Sequence, residues 1–141
     1  MMILDTDFII DLDSRKQAAR QKAREIERQN RPRRVPHPVI AELWVSVGFG
    51  GSTVQNKRQL RQTLRGLPRV GLTEQIAKRG GRIQGEAMAN DPNGSGVGLE
   101  DAYIAATALE YDEPVVTDNT TDFVNRIQQN LGYSGLDVET Y

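Results

Sequence analysis

Acidic side chains are the residues of this sequence whose positions could support chemistry. Asp5 and Asp7 follow a short apolar segment near the start of the chain, and Asp118 and Asp122 follow a second apolar segment. In open parallel sheets, ligand sites form beyond the carboxyl ends of the strands. Acids at two such ends predict a carboxylate pocket that would attract cations.

Glu42 stands in the segment 39–47, which is apolar except for this residue and Ser46. A carboxylate in apolar surroundings is costly unless it is solvated, paired or bound to a metal, because burial disfavours its charged form. Alternatively, Pro38, Glu42 and Ser46, spaced by four, form only the solvated stripe of an amphipathic helix. The residues alone leave both interpretations open.

The other acids also have local structural explanations. Asp101 falls in the first turn of a predicted helix, where an acid at the positive end of the helix dipole contributes about 0.3–1 kcal/mol. Asp7 could cap a turn, and Asp122 could be a first-turn acid behind a cap at Asn119 or Thr120. No single acid therefore establishes the pocket.

Strands and helices alternate along the predicted chain. The predicted strands are 2–4, 69–72, 114–117 and 136–139, and a helical turn follows the first of them. The predicted helices are 15–29, 38–49, 54–65, 73–89, 99–111 and 120–130. Ser14 is the expected N-cap of the first helix, Pro38 suits the first turn of the second, and 91–98 reads as a loop. This order predicts an α/β fold with a mostly parallel central sheet covered on both faces.

The net charge of −1 conceals an asymmetry between the two halves. Residues 1–70 contain 14 Lys/Arg and 7 Asp/Glu, whereas residues 71–141 contain 4 and 12. The basic residues concentrate in 15–34 and 57–69, where they could bind a polyanion or simply form solvated helix faces.

The length predicts one domain over 1–141. The absence of cysteine excludes disulfide frameworks, thiolate zinc sites and thiol nucleophiles. No apolar stretch is long enough for a signal peptide or a membrane span, so we expect a cytosolic protein without membrane contact.

Four blocks follow one another in a fixed order: MILDTD at 2–7, VIAEL at 39–43, EDAYIAATAL at 100–109 and VVTDNTTDF at 115–123. Together they resemble the PIN-domain ribonucleases, and most of all the VapC-type toxins of type II toxin–antitoxin pairs. The block at 100–109 is the most specific. The segment 50–98 carries no recognised motif.

The resemblance implies a three-layer α/β/α sandwich with a mostly parallel central sheet and an acidic site. Asp5, Glu42 and Asp101 would form the core of that site, as both catalytic residues and metal ligands. Asp118, Asn119 and Asp122 compete for the fourth position, and we select Asp122. The residues expected to support the site are Thr6, Asp7, Thr117, Asp118 and Asn119.

A carboxylate cluster of this kind suits Mg²⁺ or Mn²⁺, which prefer oxygen ligands and retain positions for water and phosphate. Acids within about 4–6 Å of one another raise each other's pKa unless a dication relieves the repulsion. The bound ion would activate water, polarise the phosphate and stabilise the leaving oxygen. We therefore expect a metal-dependent endoribonuclease, in which the single histidine, His37, has a structural role.

Substrate and partners follow from the same resemblance. Lys57, Arg58 and Arg61 are predicted to bind the RNA backbone without reading bases. A toxin-like member implies a small antitoxin protein and a homodimer. Trp44 and Phe49 could belong to such a contact or to the core.

Two other functions remain open. Asp5-Thr6-Asp7 after a first strand also resembles haloacid-dehalogenase-like phosphatases, which form an aspartyl phosphate. That interpretation gives Glu42 no role and lacks the expected lysine near 115–118. The second alternative is a noncatalytic PIN-fold module that binds RNA or protein, although such a module does not need the complete acid set.

Overall fold

The computed structural model of the protein describes residues 1–50, 53–91 and 96–141, with residues 53–55 described by their backbone alone. The strands of these ranges are β1 (Met2–Leu4), β2 (Arg33–Pro36), β3 (Arg69–Val70), β4 (Val115–Val116) and β5 (Val138–Glu139). The helices are α1 (Thr6–Asp13), α2 (Gln17–Arg28), α3 (His37–Phe49), α4 (Thr53–Thr63), α5 (Glu74–Asn90), α6 (Leu99–Tyr111) and the π-helix α7 (Thr121–Asn130).

The strands form one sheet in the order β3-β2-β1-β4-β5, and every neighbouring pair is parallel. The central strands β1 and β4 are entirely apolar and buried, as expected for strands covered on both faces. The predicted α/β fold with a parallel central sheet is confirmed. Since β1 and β4 are neighbours, residues that follow them emerge at the same edge.

The sequence prediction missed β2, because prolines at positions 32, 36 and 38 were taken to break this stretch. Proline lacks a backbone donor but keeps its carbonyl acceptor, so it can flank a strand. Pro32 O accepts a hydrogen bond from Met2 N at 2.8 Å. Pro36 is the last residue of β2, where the chain turns into α3.

The predicted start of the first charged helix was also wrong. Ser14 ends α1 instead of capping the next helix, because its backbone N–H continues the α1 ladder to Ile10 O at 2.9 Å. Arg15 then adopts a left-handed conformation with φ +62°, and α2 begins only at Gln17. The predicted strands at 69–72, 114–117 and 136–139 are shorter in the structure, and residues 92–95 of the predicted loop lie outside the described ranges.

Helices α5 and α6 pack closely because a glycine faces a tyrosine. A Cβ atom on Gly80 would lie 2.5 Å from Cδ1 of Tyr103, closer than atoms can approach. Val47 belongs to the core and the half-buried Trp44 packs against that core, whereas Phe49 is 94% exposed. Among the described helices, none is both long and apolar enough to cross a membrane.

Candidate active site

The acidic site begins where the two central strands end. Leu4 of β1 pairs with Val116 of β4, so Asp5 and Thr117 leave the sheet side by side. The backbone N–H of Asp5 donates to Val116 O at 3.3 Å, which fixes this edge. Parallel pairing therefore positions the first carboxylate, as the sequence predicted.

Asp5 has both a capping role and an unusual electrostatic environment. Its Oδ1 accepts a hydrogen bond from Phe8 N at 2.8 Å, which caps α1, so the local role considered for Asp7 belongs to Asp5. The residue is only 2% exposed, and burial raises its pKa to about 7. Repulsion from Asp7 adds to the rise, and hydrogen bonds from Thr117 and Phe8 oppose it.

Glu42 reaches the site through a contact between distant parts of the chain. The buried hydroxyl of Thr6 donates to Glu42 Oε2 at 2.6 Å and joins α1 to α3. Glu42 and Ser46 are exposed, but Pro38 is buried, so the three do not form the solvated stripe considered above. Glu42 is thus a solvent-facing carboxylate held toward Asp5 by its hydrogen bond.

An asparagine links the remaining two acids. Asn119 Nδ2 donates to Asp122 Oδ2 at 3.1 Å and lies 3.4 Å from Asp101 Oδ2. Its Oδ1 accepts from Asp122 N at 3.2 Å, so Asn119 is also the local cap that the sequence allowed. Arg126, one turn further along α7, donates to Asp122 Oδ1 at 2.6 Å.

The electrostatics of Asp101 connect all four acids. Burial raises the pKa of this carboxyl to about 8, and a hydrogen bond shared with Asp122 raises it further. Repulsion from Asp122, Asp5 and Glu42 acts in the same direction. The carboxylate that follows β1 and those on α3, α6 and α7 therefore interact as one cluster.

A second group of polar residues forms the rim of this cluster. Burial, followed by repulsion from Asp118, raises the pKa of Asp7. Lys16 Nζ lies 3.6 Å from Asp118 and 3.4 Å from Asp11. The Tyr141 hydroxyl donates to Asp11 at 2.7 Å, which joins the end of the described chain to α1.

The oxygen donors of the cluster suit a divalent cation chemically, but their side chains are not already arranged around a single ion position. In the described part of the chain, no three acidic or histidine side chains converge closely enough to hold an ion. Protein donors already occupy carboxylate oxygens: Thr6 holds Glu42, Arg126 holds Asp122 and Phe8 N holds Asp5. Buried oxygen donors that repel one another suit Mg²⁺ or Mn²⁺, but chelation requires side-chain rotation.

The structure brings most of the predicted residues together. The cluster contains Asp5, Thr6, Glu42, Asp101, Thr117, Asn119 and Asp122, with Asp7 and Asp118 at its rim. The predicted RNA-binding residues Lys57, Arg58 and Arg61 lie on α4. His37 is an exposed residue at the start of α3.

Sequence reasoning missed Arg126, Lys16 and Tyr141. The spacing of Asp122 and Arg126, four residues apart on a predicted helix, could have revealed their ion pair. Tyr141 carries no comparable signal, because its partner Asp11 is 130 positions away.

An α/β domain with a parallel sheet and a group of acids at the carboxyl edge defines the class of this protein. The PIN domain family matches residues 2–126, and the chain belongs to that family. A comparison with curated protein sequences found no match.

Solved structures share the fold along the whole chain. VapBC2 from Rickettsia felis, bound to a promoter DNA fragment, matches with a TM-score of 0.80 and 20% identity over 99% of this chain and 98% of that one. DNA-bound VapBC from Salmonella typhimurium matches with a TM-score of 0.76 and 22% identity over 99% of this chain and 96% of that one. A toxin–antitoxin complex from Klebsiella pneumoniae matches with a TM-score of 0.68 and 24% identity over 99% of this chain and 97% of that one.

Proposed function

We propose that this protein is a metal-dependent endoribonuclease that hydrolyses RNA phosphodiester bonds. The supporting observation is the interaction of four carboxylates from distant segments: Asp101 shares a hydrogen bond with Asp122 and is repelled by Asp5 and Glu42. Asp5 is buried and Asp101 is half-buried, and the acids around Asp101 repel it. A structural role alone gives no reason for this arrangement, since an ionised group in such a place opposes folding. Membership of the PIN family is consistent with this activity.

Mg²⁺ or Mn²⁺ is the proposed cofactor, with Asp5, Glu42, Asp101 and Asp122 as its ligands. When bound, such an ion supplies activation of water and neutralisation of the charge on the phosphate. The oxygen-only donor set favours these hard cations over zinc.

The remaining residues of the site orient these acids. Thr6 directs Glu42 toward the sheet edge, and Asn119 connects Asp122 with Asp101. Arg126 neutralises Asp122 in the metal-free protein. Fixing of carboxylates by neighbouring hydrogen bonds is the usual way in which a metal site obtains its geometry.

RNA is the proposed substrate, and α4 is the proposed contact for its backbone. Arg58 and Arg61 are exposed, Lys57 is half-buried, and none of the three belongs to an ion pair within the described residues. Uncommitted cations can neutralise phosphates without reading bases. Charge reversal at the three positions should weaken RNA binding and reduce its salt dependence.

We further propose that the protein is a cytosolic toxin that forms a homodimer and is inhibited by a small antitoxin. Several structural neighbours are toxin–antitoxin complexes, which supports a protein partner here. The exposed apolar side chains of Val45 and Phe49 on α3 are suited to a protein contact. Light scattering of the purified chain, alone and with a co-expressed neighbouring gene product, tests both assemblies.

The decisive test of the activity is metal-dependent cleavage of a structured RNA. The wild type should cleave it with Mn²⁺ or Mg²⁺ and lose this activity in EDTA, and Asp5→Asn and Asp101→Asn should reduce the rate by at least about 100-fold. Glu74→Gln is the matched control, because Glu74 is also a first-turn acid but is 84% exposed at the start of α5. Cleavage that survives both site substitutions would refute the proposal.

The noncatalytic module is the second candidate. It is favoured by the absence, among the described residues, of three acids that already converge on one point. RNA binding by the wild type without cleavage in either metal would support this candidate over the nuclease.

A further inference from the structure

A cleft of about 680 Å³ lies between the end of α1 and the exposed side of α4. Its size is within the range of pockets that accept small molecules or single groups of larger ones, roughly 300–1,000 Å³. The residues that line it are Leu12, Asp13, Arg15, Arg58, Gln59, Gln62 and Thr63. We call it the Arg15–Arg58 cleft.

Hydrogen bonds between α1 and α4 fix one wall of this cleft. Gln59 Nε2 donates to the backbone oxygen of Asp13 at 2.9 Å, and the Thr63 hydroxyl donates to Asp13 Oδ1, also at 2.9 Å. The single carboxylate in the lining is therefore engaged with Thr63. The cleft has a defined position relative to both helices.

Two arginines give the cleft its charge. Neither Arg15 nor Arg58 forms an ion pair with another described residue, whereas the adjacent Lys16 contacts two acids. Arg15 has φ +62°, a left-handed conformation that is unfavourable for a residue with a side chain. The tight turn between α1 and α2 thus places Arg15 in the lining of the same cleft as Arg58.

Helix α1 connects the cleft to the acidic site. Asp5 caps the first turn of this eight-residue helix and Asp13 ends it, a distance of about 12 Å along the axis. Lys16 lies between the two regions, 3.6 Å from Asp118 at the rim of the acidic cluster. Lys16 is the chain neighbour of Arg15, so adjacent residues join the cleft to the rim of the acidic cluster.

We infer that the Arg15–Arg58 cleft binds a phosphodiester group of the RNA backbone beyond the bond that is cut. This inference rests on the proposed function for its substrate. Two guanidiniums and the side-chain amide of Gln62 match phosphate oxygens, while Gln59 and Thr63 are engaged with Asp13 and hold the wall of the cleft. Contacts of this type position a nucleic acid without specifying its sequence.

The lining favours RNA over a protein segment. Protein interfaces depend on apolar and aromatic anchors that are buried in fitted pockets. Among the described residues of this lining, Leu12 is the only apolar one, and it is half-buried against the core. Polar donors and positive charge are the features that a phosphate recognises.

Binding of a fluorescein-labelled single-stranded RNA in EDTA tests the inference without interference from cleavage. Arg15→Gln and Arg58→Gln should each weaken affinity about three- to tenfold, and each should lower the slope of log Kd against log salt by about one unit. Arg15→Lys should recover part of the loss. Arg20→Gln is the matched control, because Arg20 is exposed on α2, lies outside the cleft and forms no ion pair with a described residue. This substitution should change neither the RNA affinity nor the salt slope.

The outcomes separate this inference from the proposed function. If the double variant binds RNA with the affinity and salt slope of Arg20→Gln, the cleft does not bind the backbone, whether or not the wild type cleaves RNA. If the double variant keeps its RNA affinity but loses the binding of a poly-glutamate peptide that the wild type shows, the cleft accepts an acidic protein segment and the inference is overturned. If the double variant loses RNA affinity but the wild type never cleaves with Mn²⁺, the inference stands and the nuclease proposal fails.

Discussion

Replacement of Asp5 by asparagine should stabilise the metal-free protein while it abolishes activity. Asp5 is almost fully buried, and its pKa of about 7 lies well above the ordinary value of 3.8. The folded state therefore holds a proton that the unfolded state releases at a lower pH. Stability from this group is complete below about pH 4 and falls as the pH rises toward 7.

The magnitude follows from the size of this pKa difference. About three units at 1.36 kcal/mol each give an upper limit of about 4 kcal/mol lost by the wild type at pH 8. Water and side chains that relax around the charge reduce this cost, so we expect asparagine to add about 2 kcal/mol. Asparagine can still accept the hydrogen bond from Phe8 that caps α1.

Urea unfolding of the wild type and Asp5→Asn in EDTA, at several pH values between 4 and 8, measures this effect. The difference between the two proteins should be close to zero at pH 4 and grow toward pH 8. Mn²⁺ should stabilise the wild type more than the variant. Equal stability at all pH values, or a less stable variant at pH 8, would refute the electrostatic reasoning.

Three further predictions concern other parts of the structure. Gly80→Ala should lower the free energy of unfolding by about 1–3 kcal/mol in thermal unfolding, because the added methyl group clashes with Tyr103 of α6. Gly85 lies in the same helix with open space around it, so Gly85→Ala should be neutral or stabilising by up to about 1 kcal/mol. Arg126→Ala should tighten Mn²⁺ binding about threefold in calorimetry, since it removes the cation that competes for Asp122. Glu139→Gln should destabilise the protein by about 1 kcal/mol at pH 7 in urea unfolding, because hydrogen bonds, chiefly from Arg31, lower the pKa of this carboxyl. Their contribution is lost as the pH falls through that lowered pKa, so the difference in stability between the two proteins should shrink in acid.

Much of the fold could be predicted from the sequence, because short apolar segments alternate with helical patterns. The first strand and the helix 99–111 carry strong signals in their buried residues, and both were predicted with the observed limits. The strand at 33–36 was missed because two arginines and a proline in it resemble a loop. Its place in the sheet depends on pairing with β1 and β3, which no local pattern reveals.

The sequence indicated where the acids lie in the fold, but not the contacts that they make. Asp5 could be placed because strand ends meet at one edge of a parallel sheet. The bond from Thr6 to Glu42 joins residues 36 positions apart, and it depends on how α1 packs against α3. The same holds for the cleft, where the unexpected turn at Arg15 decides which way a guanidinium faces.

Titration of the metal-free protein with Mn²⁺ near pH 7, in two buffers of different ionisation enthalpy, tests the central claim most directly. Asp5 and Asp101 hold protons in this range, so an ion that binds between them must release protons. The wild type should bind Mn²⁺ with a heat that changes with the buffer, and Asp101→Asn should lose this binding. Binding with no proton release, or binding that Asp101→Asn leaves unchanged, would contradict a shared carboxylate site.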